Sequence, residues 1–216
     1  MSPGAKNTLV LVGLLFAILA AGVSVYFTTR KPANPLKTSI HQAIGEALAE
    51  ETIKAVGQGG KIVLVTLEKG ESPDLDQQLD AFKDRIYDFA IKIERTDTIS
   101  SDKSSKFGPG AGMSGKRFVR IMEKYQDTGA VVSFVGTPDG EDEELKDLKK
   151  IRDHLPKVVA FTRAPDDIDE LFEDKLISAA IVPRFQFPAP GPEKPKTRQE
   201  LFDRYYQVVR ADTAMP

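Results

Sequence analysis

The sequence predicts an α/β fold: a doubly wound, mostly parallel five-stranded sheet preceded by an N-terminal transmembrane helix. Three observations predict it. Five short runs are apolar at successive positions rather than alternate ones, the mark of strands buried on both faces. Between them lie stretches with apolar residues at helical spacing, so strand and helix alternate along the chain. Residues 8–27, TLVLVGLLFAILAAGVSVYF, carry no charge over 20 residues. At about 1.5 Å per residue such a helix reaches about 30 Å, the hydrocarbon thickness of a bilayer.

The elements follow in order. Residues 1–7 are a short tail and residues 8–27 the anchor, contacting the lipid bilayer, with Tyr26, Phe27, Arg30 and Lys31 as its interfacial rim. A cleaved secretory signal is the alternative, with Ala20-Ala21-Gly22 as its cleavage site. The apolar stretch continues through Val23, Val25, Tyr26 and Phe27, beyond the usual core of about 7–15 residues, which favours an anchor. Residues 28–37 are a stalk. A helix over 36–56 carries Leu36, Ile40, Ile44, Ala47, Leu48 and Ala55 on one face, with His41 beside it as a solvated or packing histidine. Gly57-Gln58-Gly59-Gly60 stops it.

Strands are expected at 61–67, 89–93, 130–135, 158–162 and 177–182. Ser72-Pro73 starts the helix after the first strand, with a capping hydroxyl and a proline in the first turn. Leu75, Leu79, Phe82 and Ile86 stripe that helix. Phe118, Ile121, Met122 and Tyr125 stripe the second, Leu145, Leu148, Ile151 and Leu155 the third, and Ile168, Leu171 and Phe172 the fourth. Right-handed crossovers leave few topologies, and the flavodoxin-like order 2-1-3-4-5 is favoured. The α/β domain is placed at 38–182. Residues 183–216 are read as a Pro-rich connector and a last helix over 198–209, with Leu201, Phe202, Tyr205 and Val209 inward.

Charge narrows the partners. Lys6, Arg30, Lys31 and Lys37 are the only charged side chains before residue 38, which leaves the remainder 26 basic against 32 acidic residues. A mildly acidic domain disfavours nucleic acid. The chain has no cysteine and two histidines, so thiolate metal sites are excluded and His-based metal or triad chemistry is poorly supplied; no cofactor is expected. The basic flanks give a slight count in favour of a cytoplasmic domain, whereas a very short basic tail is the layout of a signal anchor. We take the domain to be extracytoplasmic and the protein to be a single-pass cell-membrane protein.

In open α/β sheets ligands bind beyond the carboxyl ends of the strands, at the switch point. For the order 2-1-3-4-5 that is between the first and third strands. Glu68, Ser72, Thr137 and Asp139 lie in the two loops there, and Arg163 in the next. The first turns nearby are rich in acid, including Asp74, Asp76, Asp142 and Asp169, which complement helix dipoles and disfavour phosphate. A second candidate is the long connection over 97–113, which leads into Gly110, Gly112, Gly115 and Lys116. These match both GxGxxG and GxxxxGK, whose glycines let backbone amides approach a phosphate. A dozen polar residues separate the loop from its strand, however, and Arg117 stands where a magnesium-binding Ser or Thr belongs. A flexible loop ending at a helix start explains the same residues.

KIVLVTLEKGESPDLDQQLDAFKDRI and GMSGKRFVRIMEKYQDTGAVVSFVGTPD together resemble one lobe of the type 1 periplasmic sugar-binding proteins, over roughly residues 61–182. The resemblance implies a sugar-sized ligand bound at Glu68–Ser72 and Gly136–Asp139. It also implies a second lobe, for which this chain is too short. The first βα turn carries Ser72-Pro73-Asp74 where the family commonly places an aromatic. The expectation is a membrane-anchored, non-catalytic domain that binds a small polar ligand or a protein partner. The alternatives are a nucleotide- or anion-binding enzyme domain using the glycine loop, and a secreted solute-binding fragment.

Overall fold

The computed structural model describes residues 35–99, 112–163, 168–184 and 195–211. Residues 8–27 lie outside the described residues, as do residues 100–111 of the long connection, Gly110 among them. Among the described residues no helix is long and apolar enough to cross a membrane.

The chain forms α1 (Pro35–Val56), β1 (Lys61–Leu67), α2 (Pro73–Tyr87), β2 (Lys92–Ile99), α3 (Gly115–Lys124), β3 (Ala130–Ser133), α4 (Lys146–Ile151), β4 (Lys157–Phe161), α5 (Ile168–Glu173), β5 (Ala179–Pro183), α6 (Arg198–Tyr205) and β6 (Tyr206–Arg210). Among the described residues the sheet has six strands in the order β2-β1-β3-β4-β5-β6. The first five are parallel, and β6 pairs antiparallel with β5, Ala180 opposite Val209 and Pro183 opposite Tyr206. The flavodoxin-like order holds for the parallel strands.

The expectation of five strands is therefore corrected to six. The last helix stops at Tyr205, and the β-branched pair Val208-Val209 closes the open edge of β5 instead of extending the helix. Leu201 and Phe202 are buried, as expected, but Tyr205 is half exposed. The second strand also moves, from 89–93 to Lys92–Ile99. As an edge strand with most side chains exposed it needs no apolar run, and its charges discourage pairing with a second sheet. The third helix breaks into a short α4 flanked by 3-10 turns at Glu143–Leu145 and Arg152–His154, which leaves Ile151 exposed.

Burial follows the continuous apolar runs. Every residue of β1 after Lys61 and all of β3 are buried. Phe82 on α2 meets Phe134, just past β3, edge to face at 5.3 Å. Gly45 on α1 lets that helix lie directly on α2: a Cβ there would come 2.1 Å from the Gln78 carbonyl oxygen. His41, buried on α1, makes a second link between these helices. Its Nδ1 lies 3.2 Å from Gln78 Nε2 and its Nε2 3.4 Å from an Asp74 oxygen. The neutral tautomer with hydrogen on Nε2 satisfies both, accepting from the amide and donating to the carboxylate.

Candidate functional site

The carboxyl ends of β1, β3 and β4 carry the loops expected to form a site. After β1, the chain turns through Glu68–Ser72, with the Glu71 amide donating to the Glu68 carbonyl at 3.2 Å. Ser72 caps α2, its hydroxyl accepting from the Leu75 amide at 3.4 Å. Asp76 reaches back to accept from the Gly70 amide at 3.1 Å. Glu68 is exposed and Ser72 buried. Thr66, near the end of β1, is buried with a hydroxyl that has no hydrogen-bond partner among the described residues.

After β3, Ser133 donates to the Gly136 carbonyl at 2.6 Å and fixes the turn. Thr137 is buried, and its carbonyl accepts from the Met113 amide at 3.2 Å. Asp139 is exposed and accepts from the Glu141 amide at 3.0 Å, a local turn. The Gly112 amide donates to the Val135 carbonyl at 3.0 Å, so the end of the glycine segment lies along this same loop. After β4, Arg163 is exposed, with its guanidinium carbon 6.0 Å from the Phe161 ring centre.

Tyr206 is the residue that sequence reasoning missed here. Its ring packs 6.0 Å from Phe161 and 6.1 Å from Phe202. Burial pushes the Tyr206 phenol up from its ordinary pKa of 10.0, Arg163 pulls it down and Asp74 pushes it up again. Tyr206 and Arg163 thus meet at one ring, the half-buried phenol and the guanidinium carbon each 6.0 Å from Phe161. The signal was Tyr206-Gln207-Val208-Val209, a strand pattern absorbed into the expected helix.

The expected residues thus divide. Ser72 and Asp139 spend oxygen lone pairs on backbone amides of their own turns. Arg163 presents a charged, exposed donor group beside an aromatic cluster. The glycine-loop candidates divide too. The first amide of α3, that of Gly115, donates to an Asp142 carboxylate oxygen at 2.6 Å, so a carboxylate of the chain itself sits where an anion would bind a helix start. Lys116 is exposed, and Arg117 turns away, 3.5 Å from Asp97 and donating to the Thr98 carbonyl at 3.2 Å. Among the described residues no three His, Asp or Glu side chains converge as a metal-ligand set.

No family model matches the sequence, and no curated protein matches it. Solved structures do. The chain is similar to XylFII, with a TM-score of 0.52 and 19% identity over 79% of this chain and 60% of that one. It is similar to XylFII in a complex with LytSN, with a TM-score of 0.52 and 18% identity over 80% and 60% of the two chains. It is also similar to AraP, an arabinose-binding protein from Geobacillus stearothermophilus, with a TM-score of 0.51 and 14% identity over 81% and 62%. The chain therefore spans about 60% of the length of XylFII. The described residues have a periplasmic-binding-protein-like fold, the fold that the β1–α2 and α3–β3 segments resemble in sequence.

Proposed function

We propose that this domain is a non-catalytic binding module, held at the outer face of the cell membrane by residues 8–27, that takes a small polar ligand at the carboxyl edge of its sheet. The observation that carries it is the meeting of Arg163 and Tyr206 on the Phe161 ring at the carboxyl edge, with Asp74 in the first turn of α2 after the β1 loop. It supplies a cation, a phenol on an apolar stack and a carboxylate: hydrogen-bonding groups of both kinds for a neutral polyol. The fold supports a ligand of the sugar class, since AraP binds arabinose. XylFII assembles with LytSN, which supports a protein partner or second subunit as the covering surface for an otherwise open site. The acid at the neighbouring helix starts, and Asp142 on the Gly115 amide, favour this reading over a nucleotide at the glycine loop.

The test is a melting-temperature titration of the full chain in mild detergent against pentoses and hexoses. At least one sugar should raise the midpoint saturably. Arg163→Ala, at an exposed position, should weaken that sugar about tenfold, the worth of one charge-assisted hydrogen bond. No saturable shift with any sugar, or an unchanged affinity in the variant, overturns the proposal.

A further inference from the structure

The amino edge of the sheet, opposite the proposed ligand end, has a cleft of its own. Its volume is about 630 Å³. It opens between the end of α1, the starts of β4 and β5, and the end of β6. Lys54, Lys157, Lys175 and Arg210 line it, against the single carboxylate of Glu51. Four cations on one carboxylate stand out in a domain whose balance is acidic. Ile177 and Ala179 add apolar wall.

The cations are arranged rather than scattered. Glu51 is 4% exposed and fixes two of them: Arg210 donates to it through Nε at 2.6 Å and Nη2 at 2.7 Å, and Lys54 donates at 2.7 Å. Lys157 is tethered by one bond, from Nζ to the Ala55 carbonyl at 2.8 Å, which leaves the other ammonium protons for a ligand. Lys175 has no ion pair among the described residues; its neighbour Asp174 is held by Lys149 at 2.6 Å. Its backbone is unusual as well. Lys175 ends α5 with φ at +59, and the Lys175 and Leu176 amides donate back to the Phe172 and Leu171 carbonyls. That left-handed cap position favours glycine, and a lysine there is strained. Its ammonium returns a reason for the residue if the cleft holds an anion.

We propose that this cleft binds a small polyvalent oxyanion, of the phosphate or polycarboxylate kind, independently of the site at the carboxyl edge. Such a ligand bridges Lys157 and Lys175 while Glu51 holds Arg210 and Lys54 in place. The apolar wall accommodates a carbon skeleton between charged ends.

The test is calorimetry and thermal denaturation of the full chain in non-ionic detergent at low salt, with pyrophosphate and citrate as probes. At least one probe should bind saturably, with an affinity that falls as sodium chloride is added. Lys157→Gln should raise the Kd about tenfold, one charge-assisted hydrogen bond's worth. Lys175→Gly is the sharper variant, since it relieves the left-handed backbone. Its melting temperature without anion should equal or exceed the parent's, while the anion-induced shift shrinks. Absence of saturable binding by both probes overturns the proposal, as does full retention of the shift in both variants.

Discussion

At the scale of single residues, close approach decides more than residue type. Gly115 illustrates it. A Cβ there would meet the Asp142 carboxylate oxygen at 2.6 Å and the Asp142 Cβ at 2.7 Å. Gly115→Ala should therefore expel Asp142 from the first amide of α3 and lower stability by about 1–3 kcal/mol in urea denaturation. The same contact bears on the glycine motif. With Asp142 in place, Lys116 has no role in holding a phosphate at that helix start. Lys116→Ala should leave any ATP-induced shift in melting temperature unchanged; a shift that this variant abolishes would restore the nucleotide reading. The literal pattern of Gly110, Gly112, Gly115 and Lys116 was legible in the sequence, but the carboxylate from 27 positions further along was not. Local spacing carries no information about which distant side chain a helix start will meet.

Among elements, α1 is held to the sheet and its neighbours by contacts at several points along its length. Gly45 allows it to touch α2, and Gly45→Ala should cost about 3 kcal/mol, because the obstructing Gln78 carbonyl is backbone and cannot swing aside. Near its other end Glu51 clamps Arg210 on β6. Burial pushes the Glu51 carboxyl up, but hydrogen bonds from Arg210 and Lys54 outweigh it and hold the pKa below 4.5. A depressed folded-state value means that the clamp stabilises fully above the unfolded value near 4.5 and weakens as pH falls through the folded one. Glu51→Gln should lower stability at neutral pH by about 1–3 kcal/mol, a range discounted because Arg210 and Lys54 both reach solvent. The gap between parent and variant should narrow in melting curves taken toward pH 3. An equal gap at both pH values contradicts the clamp.

These elements also show what the sequence could reveal. Strands such as β1 and β3, buried on both faces, announce themselves as unbroken apolar runs, and Ser72-Pro73 marks a helix start through its own chemistry. Edge strands obey other demands. β2 is written mostly in charges and polar residues beyond Ile93, and β6 follows α6 without a turn residue, so a search for buried runs catches only the start of the first and none of the second. Missing β6 meant missing Tyr206, and with it the aromatic part of the candidate site. Arg163 was legible because the strand order was.

For the molecule as a whole, the proposed function sets a membrane anchor ahead of a binding fold. The absence of cysteine permits a direct test of sidedness. A cysteine introduced at Tyr87, which is 83% exposed, should react with an impermeant thiol reagent in intact cells. Labelling only after lysis would place the domain in the cytoplasm. The parallel strands β1, β3 and β4 bring their carboxyl ends to one edge, while the cationic cleft lies at the other, so the fold separates the proposed polyol site from the proposed anion site. That separation makes the position of a bound sugar measurable in one experiment. Amide chemical-shift changes in the isotopically labelled full chain, recorded with the sugar that shifts the melting temperature most, report directly where the ligand sits. They should concentrate in residues 66–72, 136–140, 162–163 and 206. Changes confined to the amino edge around Lys54, Lys157 and Lys175, or none at saturating sugar, would contradict the proposed site.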